Sequence, residues 1–355
     1  MYFWQHLLYI IIFLVSLPNA QVPSGYYDDA NGLSGASLQS ALHEIINDHT
    51  KYPYTSSNTD VWDIVKITDE DPSNSANVIL IYTGRSQAKT ENSGQSSATG
   101  SNRWNREHVW SKSHGFPNES DTAYTDLHHL KPADESVNSS RGNLDFDNGG
   151  SAHSEATDCN YDSDSWEPSD YVKGDIARIL FYMVVRYDPG YDHNNNSFDL
   201  ELVDYTTPGN NDPILGKLSS LIQWHFDDPV DDFEINRNEV IFGFQQNRNP
   251  FIDHPNLVNF LWGENVGQDW NENLGFNDIS YNNELTIFPN PTTGILNFNE
   301  ELQNEKIEIF SLTGQKIFNR EVTNTNSIKL NLNSGIYLVK VSNNHRVINS
   351  KIIIK

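Results

Sequence analysis

The chain has 355 residues, of which 48 are acidic and 23 are basic, so its formal net charge is −25. This length fits two domains and allows a sizeable buried core. The single cysteine, Cys159, excludes an intrachain disulfide framework and any cysteine-based zinc or iron–sulfur site. The strong negative charge argues against binding to nucleic acid or anionic membranes through charge alone.

The first twenty residues predict an export signal. They hold no Lys, Arg, Asp or Glu, and their apolar run Leu7–Leu17 has the length of a signal-peptide core but is short for a membrane span. An uncleaved membrane anchor is the alternative. Cleavage after Ala20 is favoured because polar, Gly/Ser-rich sequence without stop-transfer charges follows. We therefore expect a secreted protein, either extracellular or on the outer cell surface.

The next segment predicts a mainly helical α+β domain. A short apolar run at Val78–Tyr82 indicates a strand, and apolar residues at helical spacing indicate several helices. The helices are predicted at Gly35–His49, Asp170–Tyr187, Pro213–Phe226 and Val230–Gln246, with a short one within Phe251–Gly263.

A shift in charge marks a second domain at the C-terminal end. Residues 276–355 carry a net charge of +1, which leaves −26 on residues 21–275. The tail alternates short apolar runs with Asn, Thr and Gly turns, which is typical of strands in an antiparallel sandwich. We predict a first domain over residues 21–263, a polar, Asn/Gly-rich linker over 264–283 and a small β-sandwich over 284–355.

The side chains with chemical potential are concentrated in Trp104–Asn143. This stretch predicts a strand at Trp104–Trp110, a loop, and a short strand at Leu127–Leu130. A helix should follow, with Pro132 in its first turn and Gly142 at its C-terminal end.

These side chains suit phosphodiester hydrolysis. Carboxylate and amide oxygens are ligands that suit Mg²⁺, a histidine can take a proton from water, and an arginine can hold a phosphate through two hydrogen bonds. On the predicted helix, Asp134, Asn138 and Arg141 share one face. Glu107 and His108 are neighbours, however, and neighbours in a regular strand point to opposite faces. Both can serve one phosphate only at a twisted or bulged strand end.

Other interpretations of the same residues stay open at this point. His128 and His129 could form a zinc site, although no ligand spacing supports one, or could have a structural role. Asn138 and Arg141 could belong to an ordinary exposed helix face.

The stretch resembles the bacterial endonuclease I family, which are secreted or periplasmic nucleases with a ββα-metal (His-Me finger) site. The matching blocks, in chain order, are Asn105–Trp110, Asp126–His128, Leu130–Pro132, Val137–Asn143, Lys173–Arg178 and Gln246–Phe251. The resemblance implies that His108 is the general base and that Glu107 and Asn138 bind the metal. It also implies sequence-independent cleavage of DNA and RNA that leaves 5′-phosphate ends. The expected ion is Mg²⁺, with Mn²⁺ or Ca²⁺ as alternatives.

Three features depart from that family. Ser111 stands where related sequences often have proline, the disulfides of periplasmic members cannot form, and the first domain is strongly acidic. Arg141 is expected to take part in catalysis by holding the phosphate. Because the domain is acidic, we expect substrate binding to depend on the metal and on a few arginines. Those substrate-binding residues are Arg106, Arg178 and Arg248.

The tail is similar to the C-terminal sorting domain of type IX secretion in Bacteroidetes-type bacteria. The similarity rests on Phe288–Pro291, Thr293–Gly294, Ile309–Gly314 and Ser334–Tyr337. It implies that the type IX machinery is a partner. A sandwich that binds carbohydrate or another protein is the alternative, although no cluster of aromatic residues supports sugar binding.

The leading interpretation is thus a secreted, monomeric, metal-dependent endonuclease acting on DNA, RNA or both. Two others remain: a surface adhesion or binding protein on a degenerate nuclease scaffold, and a secreted phosphodiesterase that acts on small esters. The joint presence of Glu107, His108 and Asn138 argues against a degenerate scaffold.

Overall fold

The computed structural model describes residues 22–94, 103–188, 199–207, 209, 211–272, 285, 287–311, 315–343 and 347–355. The predicted signal peptide and residues 273–283 of the predicted linker lie outside these ranges. The chain divides into two compact units, residues 1–275 and 276–355. Each unit is described by itself.

The first unit combines helices with small sheets. Its helices are α1 Gly35–Ile46, α2 Val61–Thr68, α3 Glu135–Arg141, α4 Lys173–Arg186, α5 Leu218–Asp227, α6 Asp232–Gln245, α7 Pro250–Asp253 and α8 Leu257–Leu261. Its strands are β1 Glu70–Asp71, β2 Asn74–Ile79, β3 Ser86–Ala88, β4 Trp104–His108, β5 Leu130–Asp134, β6 Asp145–Phe146, β7 Ser151–Ala152, β8 Asn160–Tyr161, β9 Ser165–Glu167, β10 Glu201–Val203 and β11 Ile214–Gly216.

The class is α+β, but the expectation of a mainly helical domain is not confirmed. Over the described residues of both units together, strands are about as common as helices. In the first unit they form four small sheets, ordered β1-β2-β3, β4-β5, β6-β9-β8-β7 and β10-β11. Strands of two or three residues carry too little sequence pattern to be recognised without the fold.

Helix α4 lies at the centre of the first unit. Every residue from Gly174 to Arg186 is buried, and α4 packs against α1, α5 and α7. Gly174 permits the close approach to the C-terminal end of α5, because a Cβ there would lie 1.9 Å from the carbonyl oxygen of Asp228, which follows that helix directly. The apolar faces of α1 and α4 predicted from helical spacing are therefore core faces, as expected.

Several predicted elements have different limits in the structure. The segment predicted as a helix from Pro213 contains β11 first, and α5 begins only at Leu218. The short helix α2 is missing from the sequence prediction altogether. The predicted strand Leu127–Leu130 is wrong, since β5 begins at Leu130 and carries Pro132 within it.

The second unit is built on one antiparallel sheet. Its strands are β12 Ile287–Phe288, β13 Ile295–Ser311, β14 Lys316–Lys329, β15 Gly335–Ser342 and β16 Val347–Ile354. The long strand β13 pairs with β12, β14 and β15, and β15 pairs with β16. Among the described residues these strands are hydrogen-bonded into a single sheet, where the sequence predicts the two sheets of a sandwich.

The first unit extends beyond residue 263, which we predict as its last residue. Trp270 is fully buried, and its backbone nitrogen and oxygen bond to Leu33 and Gly32. Its ring packs edge-on against His254. The first part of the segment predicted as a linker therefore belongs to the packed body of this unit.

Candidate active site

Strands β4 and β5 and helix α3 bring the predicted chemical residues together. The two strands pair antiparallel, with Glu107 opposite Lys131 and His108 opposite Leu130. Helix α3 follows β5 directly, because the Asp134 carboxylate accepts hydrogen bonds from the backbone nitrogens of Ser136 and Val137. This cap starts the helix three residues later than Pro132 predicts. Gly142, with a φ of 56°, ends it as predicted.

The residues line a cleft of about 550 Å³. The cleft is lined by Tyr54, Trp62, Ser93, Asn105, Arg106, Glu107, His108, Ser111, Lys112, Ser113, Asn138, Gly142 and Asn143. Glu107 and His108 both reach it, although they are neighbours in sequence. His108 is the last residue of β4, so the pair stands at a strand end, where the sequence argument requires it.

Glu107 is buried, with only 2% of the residue exposed. Its Oε1 atom accepts a hydrogen bond of 2.6 Å from the Tyr82 hydroxyl and lies 3.3 Å from Nη1 of Arg141. Burial raises the pKa of Glu107, and the positive charge of Arg141 acts in the opposite direction. A buried carboxylate with fixed neighbours is held in one orientation.

The histidine ring is held in a defined tautomer. Nε2 of His108 lies 3.0 Å from the carbonyl oxygen of Tyr124. A carbonyl only accepts, so Nε2 carries the proton and donates it. Burial lowers the pKa of His108 well below its usual value. At neutral pH the ring is therefore neutral, and Nδ1 has the lone pair that accepts a proton.

The Asn138 amide is oriented by a second asparagine. Its Nδ2 donates a 2.7 Å hydrogen bond to Oδ1 of Asn105 on the neighbouring strand β4. Because the nitrogen is used in this contact, the amide oxygen of Asn138 remains for a cation. Asn105 is not among the site residues predicted from the sequence.

The donor atoms fit a hard divalent ion. A carboxylate from Glu107 and an amide oxygen from Asn138 are oxygen ligands, which Mg²⁺ and Ca²⁺ prefer. Among the residues that the structure describes, no group of three or more His, Cys, Asp or Glu side chains is placed to hold a metal. The donor set therefore suits an ion such as Mg²⁺ that keeps most of its water ligands.

Arg141 has a different role from the predicted phosphate clamp. Its side chain is fully buried, and Nη1 and Nη2 donate to the carbonyl oxygens of His108 and Val109 at 3.2 and 2.8 Å. Its guanidinium also lies over the ring of Phe146. A buried side chain bound to backbone cannot reach a substrate phosphate. Arg141 therefore positions the end of β4 and neutralises Glu107.

The three arginines predicted to bind substrate separate into one at the cleft and two in the interior. Arg106 lines the cleft. Arg178 is fully buried and bonds Glu234 through Nε and Nη2 at 2.7 and 2.5 Å. Arg248 is also buried, in ion pairs with Glu239 and Asp253. These closed ion pairs correct the prediction for Arg178 and Arg248, because neither guanidinium faces the cleft.

The surroundings of His128 and His129 do not suit a metal site. His128 and His129 are buried, and their Nε2 atoms contact the carbonyl oxygens of Asn247 and Ala123 at 3.3 and 2.6 Å. Burial lowers the pKa of each to about 4. Both rings are thus neutral and hydrogen-bonded to backbone, which is a structural role.

Sequence reasoning missed several residues of the cleft. Tyr54 and Trp62 come from the segment around α2, where the sequence predicts no helix. Lys112 lies two residues after Trp110. Tyr82, which bonds Glu107, lies in the segment predicted as a plain strand. Only the Lys112 position carries a sequence signal, since a cation so close to the Glu107–His108 pair is a natural partner for phosphate.

Comparison with known proteins assigns both parts of the chain. Residues 34–256 match the family model of endonuclease I, and residues 286–355 match the secretion system C-terminal sorting domain. The chain is 52% identical over 249 residues to an extracellular ribonuclease of Bacillus amyloliquefaciens, covering 70% of this chain and 81% of the relative. An extracellular ribonuclease of Bacillus subtilis is 52% identical over 240 residues, with 67% and 78% covered.

These similarities define a secreted nuclease. The chain belongs to the endonuclease I family and carries a C-terminal secretion sorting domain. A structure of PorZ, a surface component of the type IX secretion system of Porphyromonas gingivalis, aligns at 18% identity over 23% of this chain and 13% of its own, with a TM-score of 0.19. In the part of the chain that the structure describes, no helix combines the length and apolar character needed to cross a membrane.

Proposed function

We propose that the chain is a metal-dependent, sequence-independent endonuclease that hydrolyses phosphodiester bonds of DNA and RNA and leaves 5′-phosphate ends. The observation that carries this proposal is the common cleft of Glu107, His108 and Asn138. Mg²⁺ is the proposed ion, with Mn²⁺ and Ca²⁺ as alternatives. The C-terminal unit is proposed to engage the type IX secretion machinery.

His108 is the proposed general base. Because Nε2 donates to the Tyr124 carbonyl, Nδ1 is free to accept a proton from the attacking water. The water oxygen bonds to phosphorus as the bond from phosphorus to the 3′ oxygen breaks. The 3′ oxygen takes a proton from solvent, which leaves a 3′-hydroxyl and a 5′-phosphate.

Glu107 and Asn138 would hold the divalent ion, which supplies positive charge to the phosphate oxygens when bound. Tyr82 and Arg141 fix Glu107, and Asn105 fixes Asn138. The ligands are thus oriented before the ion and the substrate arrive. Preorganised groups of this kind lower the barrier without rearrangement during the reaction.

A metal titration and an end-group analysis test the proposal together. Long DNA and RNA should be cut with Mg²⁺ but not with EDTA, and the products should carry 5′-phosphates. Calorimetry should show Mg²⁺ affinity reduced by about tenfold or more in Asn138→Ala and in Glu107→Gln. Ser113→Ala, which changes another polar residue that lines the cleft, is the control and should bind Mg²⁺ as the wild type does. Unchanged affinity in both ligand variants would place the ion elsewhere.

A further inference from the structure

One positive charge at the cleft has no carboxylate beside it. Lys112 is exposed and lines the cleft together with Glu107 and His108. Among the residues that the structure describes, no acidic side chain forms an ion pair with its ammonium group. Five other lysines of the same unit each pair with a carboxylate, namely Lys66, Lys89, Lys131, Lys173 and Lys217. Acidic partners are plentiful in this unit, so the position of Lys112 keeps its charge available.

Tyr124 holds this ammonium group beside the proposed base. Nζ of Lys112 donates a 2.7 Å hydrogen bond to the Tyr124 hydroxyl and lies 4.8 Å from the centroid of the Tyr124 ring. The same ring packs edge-on against the His108 ring, with centroids 4.7 Å apart, and the Tyr124 carbonyl accepts the hydrogen bond from His108. One buried tyrosine thus contacts both groups and orients them relative to each other.

The ammonium group also keeps capacity for a ligand. It has three N–H donors, and the Tyr124 hydroxyl accepts one of them. Within the described part of the chain, Nζ of Lys112 makes no second hydrogen bond to protein. Arg106 differs, because its Nη1 and Nη2 already donate to the carbonyl oxygen of Tyr54 and to Oγ1 of Thr55. Lys112 is therefore the cation at this cleft that is best able to bind an anion.

We infer that the Lys112 ammonium group contacts a non-bridging oxygen of the scissile phosphate, and that Tyr124 is the positioning residue that holds it there. This inference rests on the proposed function and names a substrate contact within the same site. Arg141, which the sequence assigns to the phosphate, is buried and bound to backbone. Lys112 takes over that part and supplements the charge of the divalent ion on the phosphoryl oxygens.

Two substrates and two variants test the contact. A dinucleotide with one phosphodiester bond has only the scissile phosphate, whereas a DNA duplex also offers neighbouring phosphates. With Mg²⁺, Lys112→Met should lower kcat/KM by about 10- to 150-fold on both substrates, as expected for the loss of a hydrogen bond to a charged group. Lys112→Arg keeps the charge and should restore most of the loss.

The dependence of cleavage on salt separates a phosphate contact from a structural role. On duplex DNA at fixed Mg²⁺, the slope of log kcat/KM against log NaCl concentration should be less steep by about 0.9 in Lys112→Met, because one phosphate contact is lost. Lys66→Met is the matched control, since it makes the same change in net charge on α2 outside the cleft lining. It should keep the wild-type rates and slope.

Tyr124→Phe tests the positioning role. It removes the hydroxyl and keeps the ring and the carbonyl that contact His108. The change should lower kcat/KM by about 2- to 10-fold in the wild-type background, which corresponds to one neutral hydrogen bond. It should have little further effect in the Lys112→Met background, because the hydroxyl acts through Lys112.

The outcomes separate this inference from the proposed function. Wild-type rates of Lys112→Met on both substrates overturn the inference alone. A loss with an unchanged salt slope also overturns it, since Lys112 would then only support the structure, and a loss confined to the duplex would place the contact on a neighbouring phosphate. If Lys112→Met does not fold, Lys112→Gln gives the same comparison. A wild-type enzyme that cuts neither substrate with Mg²⁺ overturns the proposed function and this inference together.

Discussion

Two regions of the first unit contain carboxylates, histidines and arginines at close range, and only one of them opens to water. In the cleft, Glu107 and His108 border a space of about 550 Å³. In the interior, Asp126, His128 and Arg237 are buried with every observed contact internal. We call the second region the buried network. Glu107 and His108 in the cleft and Asp126 and His128 in the interior all come from family blocks, so a chemically rich motif does not by itself mark a reactive site.

The buried network is closed by hydrogen bonds. The Asp126 carboxylate accepts from the hydroxyls of Tyr182 and Tyr187 at 2.8 and 2.9 Å and from Gln245 at 3.0 Å. Burial raises the pKa of Asp126, but the electrostatic effect of neighbouring groups such as His49 and Arg186 outweighs burial and holds this pKa far below its usual value. Arg237 donates to the carbonyls of residues 127, 128 and 130. Such groups fix the backbone that leads into β5 and have no capacity left for substrate.

The largest expected difference between the regions is in activity. His108→Ala should lower kcat by about 10²- to 10⁴-fold, because the proton acceptor is lost. Its melting temperature and its Mg²⁺ affinity should stay close to the wild-type values. Single-turnover cleavage and calorimetry provide the measurements, and near wild-type cleavage would remove His108 from the role of base.

Arg178 should show the opposite behaviour. Arg178→Leu leaves Glu234 buried without its partner, and we expect a loss of about 3–5 kcal/mol in the free energy of unfolding in urea. The kcat of the folded fraction should be unchanged, since Arg178 does not line the cleft. A stable but inactive Arg178→Leu protein would return Arg178 to the substrate-binding role that the sequence predicts.

Lowering the pH should reduce the free energy of unfolding through the buried histidines before it affects the packing of apolar residues. Burial lowers the pKa of His128, His129 and His225 to about 4, against 6.5 when exposed. Between these values the unfolded chain binds protons that the folded chain does not, so stability that is complete above pH 6.5 falls as the pH drops towards 4. Each histidine contributes about 1.4 kcal/mol per pH unit within this window.

His225→Gln isolates one of these contributions. Its Nε2 bonds the carbonyl oxygen of Pro255 at 2.9 Å, which a glutamine amide can replace. Urea unfolding at several pH values between 6.5 and 4.5 should give a shallower dependence on pH for the variant. An unchanged slope would mean that His225 does not stay neutral in the folded protein.

The smallest effect concerns salt and the charge at the cleft. With Arg178 and Arg248 confined to the interior, few cations remain to contact phosphates. At fixed Mg²⁺, a plot of log kcat/KM against log NaCl concentration should fall with a slope that corresponds to about two to four phosphate contacts. A slope worth eight or more would reveal a concentrated basic surface around the cleft.

The sequence predicts the main helices and the central chemical residues of this protein. Helices α1, α4 and α6 follow from apolar periodicity, since long amphipathic or buried helices give a strong signal. Glu107, His108 and Asn138 were identified through resemblance and do meet at one cleft. The two-residue and three-residue strands and the short helix α2 give no such signal.

The sequence does not show which arginines lie at the cleft and which are buried in ion pairs. Arg106 and Arg178 are equally polar in a linear sequence, yet one is stacked at the cleft and the other is paired with Glu234, 56 positions away. Long-range partners of this kind appear only once the fold places them. Pro132 was misleading for a local reason, because a capping carboxylate two residues later decides where α3 begins.

The single cysteine, Cys159, is connected to the candidate active site through hydrogen bonds, so its redox chemistry bears on that site. The Cys159 thiol is buried and donates to the carbonyl oxygen of Tyr82 at 3.2 Å, and Tyr82 in turn bonds Glu107. Burial raises the pKa of this thiol to about 11, so it resists alkylation and oxidation at neutral pH. With no disulfide to reduce and no reactive thiolate to modify, the enzyme should keep its cleft intact in oxidising and reducing media alike.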